Sequence, residues 1–243
     1  LRVQISIIIP AFNEERLLGR SLASIQAAAG AFSRRGWGVE VIVCDNNSTD
    51  QTAAIARTAG ARVVFEPVNQ IARARNGGAA AATGDWLVFV DADSHPSAEL
   101  FDDVAGQIQN GLCLAGGCTL RMDERFLVAG LLTKLWNLTS RAGRLLAGSF
   151  IFCEAAAFRE LGGFSHELFV GEELEFSSRL KRLAADRRRT IVVLHRHPLV
   201  TSARKMRLYT AREHLGFMFR AIFRQRRTMT SRQASYLWYD GRR

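Results

Sequence analysis

Proline is scarce in this chain, with 4 residues against 20 glycines in 243. That argues against a polyproline or linker-rich architecture. Cysteine is equally sparse. Cys44, Cys113, Cys118 and Cys153 form no C-x-x-C pair, and no His stands at zinc-finger spacing. Reduced core residues of a cytoplasmic protein are expected instead of a disulfide or zinc framework. Apolar runs are short. None reaches the ~18 residues that span a bilayer, and the longest candidate, Phe126–Trp136, is broken by Lys134. No basic start followed by an apolar run marks a signal peptide. Acidic residues are nearly missing from the end of the chain. Thr201–Arg243 holds 11 Lys or Arg against Glu213 and Asp240, whereas the first 200 residues hold 22 basic against 21 acidic groups. The formal charge of +10 therefore sits almost wholly in the tail. Such asymmetry suggests an anionic partner, membrane or nucleic acid, or else a solvated basic tail.

What is present is the composition of one globular domain, 48% hydrophobic and 23% charged. The first half alternates strand-like and helix-like runs. Val3–Pro10, Glu40–Cys44, Arg62–Phe65 and Trp86–Val90 are β-branched or apolar runs that suit buried strands. Between them lie a helix opened by Asn13, a helix capped by Ser48 or Thr49, and an Ala-rich helix over Gln70–Ala82. This alternation predicts a parallel α/β sheet whose ligands gather at the carboxyl ends of the strands. Beyond Pro96, helices are expected over Ser97–Gln109, Arg121–Leu146, Glu154–Leu161 and Glu172–Leu183. Strands are expected within Leu112–Leu120 and over Gly148–Cys153 and Thr190–Leu194.

Polar clusters stand at the ends of three of the first four strands: Pro10–Glu15, Asp45–Asp50 and Asp91–Asp93. In an extended segment Asp91 and Asp93 project to one side. Two carboxylates there can hold one hard divalent cation that bridges phosphate oxygens. Asp45 can accept a hydrogen bond from an N–H of a base, although turn-forming Asn and a cap residue occur in such loops for structural reasons alone. Glu172 and Glu173 open a helix, where the macrodipole stabilises acids. The same position suits a general base for an acceptor hydroxyl.

Four ordered stretches carry a resemblance: Ile7–Glu15 (IIIPAFNEE), Val41–Thr52 (VIVCDNNSTDQT), Ala72–Pro96 (ARARNGGAAAATGDWLVFVDADSHP), and Gly148–Phe164 followed by Phe169–Arg182. The chain resembles the family-two glycosyltransferases, inverting enzymes of the GT-A fold that use nucleotide-sugar donors. The resemblance implies a Rossmann-like single α/β domain with a mostly parallel central sheet and helices on both faces. Residues 1–96 would be the nucleotide-binding half, 97–200 the acceptor-binding half, and 201–243 a basic helical extension. Pro10, Phe12 and Glu14 would line the nucleotide pocket, with Asp45 at the edge of a uracil-type base. Arg75 would lie where the chain approaches the nucleotide and diphosphate. Asp91 and Asp93 would form the metal motif for Mn²⁺ or Mg²⁺. Glu173 falls where the family has the catalytic Asp of a Glu-Asp pair. The carboxylate is kept with a longer arm, and Glu172 is the alternative base.

By the same resemblance a late His would complete the metal shell. His195 and His197 follow the last expected strand, and His197 lies nearer the loop. Arg204 would clamp the leaving diphosphate, since Arg binds phosphate bidentately. The implied reaction moves a sugar from a nucleotide-sugar, with UDP favoured by Asp45, to an acceptor hydroxyl in glycolipid or polysaccharide synthesis. A sugar-nucleotide nucleotidyltransferase and a catalytically inactive sugar- or protein-binding relative are the alternatives. A nucleic-acid partner is not expected, because no helix-turn-helix, zinc or RNP pattern is present. In the tail, Leu215, Met218, Phe219, Ile222 and Phe223 recur at helical spacing among arginines. That pattern predicts peripheral contact with an anionic membrane, on its inner face, and a lipid-linked acceptor.

Overall fold

Alternation of apolar side chains builds the sheet. Along β1 (Gln4–Ala11), Ile5, Ile7 and Ile9 enter one core while Ile8 enters another. Along β4 (Trp86–Val90), Trp86, Val88 and Val90 oppose Leu87 and Phe89 in the same way. A strand buried on both faces needs helices on both faces. The first core is covered by α1 (Leu18–Ser33), α2 (Thr52–Thr58) and α4 (Ala98–Asn110). The second is covered by α3 (Ile71–Ala80), α6 (Ala155–Glu160) and α7 (Glu172–Asp186). This computed structural model describes residues 3–124, 127–146, 148–204, 208 and 229–233.

The remaining elements are β2 (Gly38–Asp45), β3 (Arg62–Phe65), β5 (Ser94–His95), β6 (Cys113–Met122), α5 (Leu127–Gly143), β7 (Phe150–Glu154) and β8 (Thr190–Thr201). Among the described residues they form one eight-stranded sheet in the order β3-β2-β1-β4-β7-β6-β8-β5. The first four strands are parallel. β7 then enters antiparallel to both β4 and β6, β6 and β8 are parallel, and β5 closes the edge antiparallel to β8. The antiparallel entry of β7 positions the site. Phe150 pairs with Val90, so the start of β7 lies beside the carboxyl end of β4. The Asp91 amide donates to the Ser149 carbonyl at 3.2 Å.

Several sequence expectations need correction. Asn13 does not cap α1. It sits at φ 52°, its amide donates to Ser48 Oγ, and its side-chain oxygen accepts from the Thr49 amide. It ties the first βα loop to the second, and α1 starts later, at Leu18. Neither Ser48 nor Thr49 caps α2. Asp50 accepts from the Thr52 amide at 2.9 Å instead. β8 runs seven residues past Leu194, so His195 and His197 lie inside a strand and not in a loop after it. Asp91–Asp93 is a turn, closed by the Ser94 amide on the Asp91 carbonyl at 3.1 Å, so extended geometry does not align its carboxylates. All four cysteines are buried and unpaired, as expected. Burial pushes the thiols of Cys44, Cys113 and Cys118 up to about 12. The amphipathic segment over Glu213–Arg227 lies outside the described residues.

Candidate active site

The carboxyl ends of β1, β2 and β4 meet the start of β7 and the first turn of α7. Arg75, on α3, is the hub. It is only 1% exposed, in a helix whose other residues are mostly small. Its Nη1 donates to Glu172 at 2.6 Å. Its Nη2 donates to Asp91 at 3.1 Å and to the Gly148 carbonyl at 2.9 Å. Phe164 lies under the guanidinium, 5.3 Å from its carbon to the ring centroid. Burial opposes the charge of Arg75, but Asp91, Glu172 and Glu173 outweigh it and hold the group firmly protonated. Asp91 and Glu172, both expected at the site, are thus joined through a side chain assigned to the diphosphate. Its two Nη groups bridge these carboxylates, while its buried Nε has no acceptor among the described residues.

Glu172 and Glu173 differ in environment. Glu172 is 3% exposed and faces Arg75. Burial first, and then the charge of Glu173, push its carboxyl up to about 8, against the pull of Arg75. Glu173 is half-exposed and borders Gly148: a Cβ at Gly148 would stand 3.3 Å from its carboxyl carbon and 3.0 Å from Arg75 Nη2. Gly148 therefore lets the chain pass between the arginine and the accessible carboxylate. Gly171 supplies the turn into α7 at φ 80°.

Of the residues expected to line a nucleotide pocket, Pro10 is buried in β1 opposite Cys44, and Phe12 is half-buried just beyond the strand. Glu14 is 7% exposed. Its amide donates to Thr52 Oγ1 at 2.7 Å, and its carboxylate receives a fork from Arg204 at 2.8 and 2.7 Å. Arg204 also lies 3.7 Å from Asp93. Burial disfavours the Arg204 charge, and Glu14 and Asp93 together restore and raise it. Its buried Nε has no acceptor among the described residues. Asp45 is buried and accepts from the Ser48 amide at 3.1 Å, which orders the second βα loop. Asn46 donates to the carbonyls of Glu66 and Val68, fixing the next loop.

The histidines are placed differently from expectation. His197 Nδ1 pairs with Asp103 of α4 at 3.0 Å, and His195 is exposed on β8. Among the described residues no three His, Cys, Asp or Glu side chains converge as a metal cage. Two carboxylates at one strand end do fit a hard cation that takes its remaining ligands from a diphosphate. Sequence reasoning missed the Arg75–Glu172 and Arg204–Glu14 pairs. The one local signal was a pair of long cations, Arg73 and Arg75, in an otherwise Ala- and Gly-rich helix.

The glycosyl transferase family 2 model matches residues 6–159. An uncharacterized glycosyltransferase of Mycobacterium tuberculosis is 32% identical over 142 residues, covering 58% of this chain and 56% of that protein. One of Rickettsia typhi is 34% identical over 101 residues, 42% of this chain and 32% of that protein. The matches thus span about half or less of these curated relatives. Among solved structures, a mannosyltransferase from Pyrobaculum calidifontis in complex with GDP-Man and Mn²⁺ superposes with TM-score 0.70 at 20% identity, covering 95% of this chain and 63% of that one. Glucosyl-3-phosphoglycerate synthase from Mycobacterium tuberculosis, in complex with Mn²⁺, UDP and glucosyl-3-phosphoglycerate, gives 0.65 at 22%, covering 95% and 82%. The fold is that of the GT-A glycosyltransferases, and the chain belongs to glycosyl transferase family 2.

Proposed function

We infer that the chain is the catalytic domain of an inverting, metal-dependent glycosyltransferase that uses a UDP-sugar. The observation that carries this reading is the side-by-side placement of Asp91 and the Glu172–Glu173 pair through Arg75. A residue of the metal motif and a residue of the base pair are locked to one buried cation, so their spacing is fixed before substrate arrives. Such preorganisation is what a displacement reaction requires.

Asp91 and Asp93 would hold Mg²⁺ or Mn²⁺. When bound, the cation supplies positive charge to the leaving diphosphate. Glu173 accepts the proton of the acceptor hydroxyl. The acceptor oxygen forms its bond to the anomeric carbon as the bond from that carbon to the diphosphate oxygen breaks, and the electron pair leaves with the nucleoside diphosphate. Attack opposite the leaving group inverts the anomeric centre. Glu172 and Arg75 orient Glu173 and Asp91. Arg204, whose Nη2 lies 3.7 Å from Asp93, would face a phosphate oxygen of the leaving group. UDP is preferred on the strength of Asp45, since neighbours of the same fold carry GDP-Man or UDP.

The acceptor hydroxyl is taken to be lipid-linked, and the protein to work peripherally on an inner membrane face. No helix among the described residues is long and apolar enough to cross a membrane. The test of the reaction is release of UDP from a panel of UDP-sugars with Mn²⁺, abolished by EDTA. Release of pyrophosphate instead would make the protein a nucleotidyltransferase. Release that is indifferent to EDTA would remove the metal from the mechanism.

A further inference from the structure

Helix α5 is amphipathic the wrong way round for a helix that packs on its own protein. Among its described side chains it turns Asn137 and Ser140 toward the sheet, with Trp136 half-buried beside them. The Asn137 side chain accepts from the Leu120 amide at 2.9 Å and donates to the Leu120 carbonyl at 2.8 Å, at a bulge in β6. Ser140, one turn on, is 1% exposed. At 100° per residue, Leu131, Leu135 and Leu138 lie on the face opposite these two residues. They are 69, 57 and 65% exposed, and neighbouring Leu132 is 44% exposed. An exposed leucine alone needs no explanation, but four on one helix form a patch. The anchoring by Asn137 keeps that face outward.

Charge identifies what would cover it. No acidic residue occurs between Glu124 and Glu154, whereas Lys134, Arg141 and Arg144 are exposed on and just after α5. Leucines flanked only by cations suit a surface that is apolar inside and anionic at its rim. The chain's own tail, with 11 Lys or Arg against 2 acids over residues 201–243, would set like charges against Lys134, Arg141 and Arg144. A second copy would bring the same cations face to face. We propose that α5 is an interfacial helix that docks the enzyme on an anionic phospholipid bilayer.

The position of α5 ties docking to chemistry. Its last carbonyls are held by Lys181 of α7, through Gly143. Five residues further the chain reaches Gly148, in contact range of Arg75 and Glu173. A bilayer resting on α5 would meet the fold on the helix whose end leads into Gly148 and the candidate site. This inference rests on the glycosyltransferase reading and adds where the membrane meets the fold.

The test is flotation of the full chain with vesicles of phosphatidylcholine, with and without phosphatidylglycerol. The parent is compared with the triple variant Leu131→Gln, Leu135→Gln, Leu138→Gln. These side chains are exposed, so the variant should keep the parent's melting temperature and its Mn²⁺-dependent stabilisation by UDP. Those two measurements separate failure of docking from failure of the donor site. The parent is expected to float with the anionic vesicles and to resist a salt wash. The triple variant should lose at least about tenfold in partitioning, given the apolar burial removed. Equal flotation of the two proteins, through the basic tail alone, would overturn the assignment, as would no flotation of the parent. Sedimentation showing a parent dimer that the variant breaks would make α5 a self-association face and equally overturn it.

Discussion

Arg75 serves three acceptors with one guanidinium, and that fixes what its loss must do. Removing it leaves Asp91 without its counter-charge and the buried carboxyl of Glu172 without its donor. Breaking a buried ion pair from one side typically costs about 3–5 kcal/mol. Arg75→Met should lower the urea midpoint by a corresponding amount, and Arg75→Lys should recover only part, since a point charge cannot reproduce the fork. A midpoint unchanged in Arg75→Met would show that the network is idle. The two glutamates separate by burial. Glu173→Gln should keep UDP binding and lose turnover by about 10²–10⁴. The reverse pattern, with that loss in Glu172→Gln alone, would exchange their roles. Glu172 also predicts a pH dependence. Its carboxyl rises from an ordinary 4.5 to about 8 in the folded protein, so the folded state holds the proton more tightly than the unfolded one. Its stabilising contribution is complete below about pH 4.5 and is lost as pH climbs toward 8. Glu172→Gln cannot ionise. Its urea midpoint should match the parent's near pH 5 and exceed it at pH 8. Midpoints that fall in parallel would show Glu172 ionised in the native protein.

At the scale of elements, the site depends on how closely α3 lies on β1. A Cβ on Gly78 would stand 2.5 Å from Ile8 Cγ2, inside the second core. Gly78→Ala must push α3 outward, carrying Arg75 with it. Overpacking of this kind costs about 1–3 kcal/mol. Activity should fall along with the melting temperature, and a fully active, equally stable variant would mean that α3 yields without moving Arg75. The elements themselves were legible to different degrees. Strands β3 and β4 follow their β-branched and apolar runs to the residue; β4 does so because a strand buried on both faces cannot contain polar interruptions, and β3 as an edge strand through its Val-Val pair alone. β8 was not legible past Leu194, since His-Arg-His in a half-exposed strand looks like a loop. β5, two residues at the sheet edge, has no pattern to read. Asp91, Asp93 and Glu173 could be found because acids interrupt apolar context at element ends. Arg75 and Arg204 were expected at the site as well, but not their pairing with Glu172 and Glu14. Arg75 and Glu172 are 97 positions apart, and Arg204 and Glu14 are 190 apart. Those meetings depend on the antiparallel insertion of β7 and on the exit of β8, which no local pattern encodes.

For the whole molecule, the Arg204–Glu14 fork joins the end of the last strand to the first βα loop, and both lie beside Asp93. The fork thereby ties the two ends of the domain together beside Asp93, at the place proposed for a nucleotide and its metal. Under the proposed function this cluster, in which the buried Arg204 Nε has no acceptor among the described residues, would be completed by a diphosphate and a cation together. A ligand that binds only the folded state stabilises it by mass action, by about 2.7 kcal/mol at 100 times its dissociation constant. In a domain of this size each kcal/mol raises the melting temperature by about 2–4 °C. Saturating UDP with Mn²⁺ should therefore raise it by roughly 5–10 °C, whereas UDP alone or Mn²⁺ alone should do much less. Asp93→Ala should abolish the Mn²⁺-dependent part without lowering the melting temperature of the free protein by more than a degree or two. Arg204→Ala should weaken the joint effect and also destabilise the free protein, because Glu14 is then left buried without its partner. If the shift with UDP is the same with Mn²⁺ and with EDTA, Asp91 and Asp93 do not hold a metal for the diphosphate, and the carboxylates at the end of β4 must have another role.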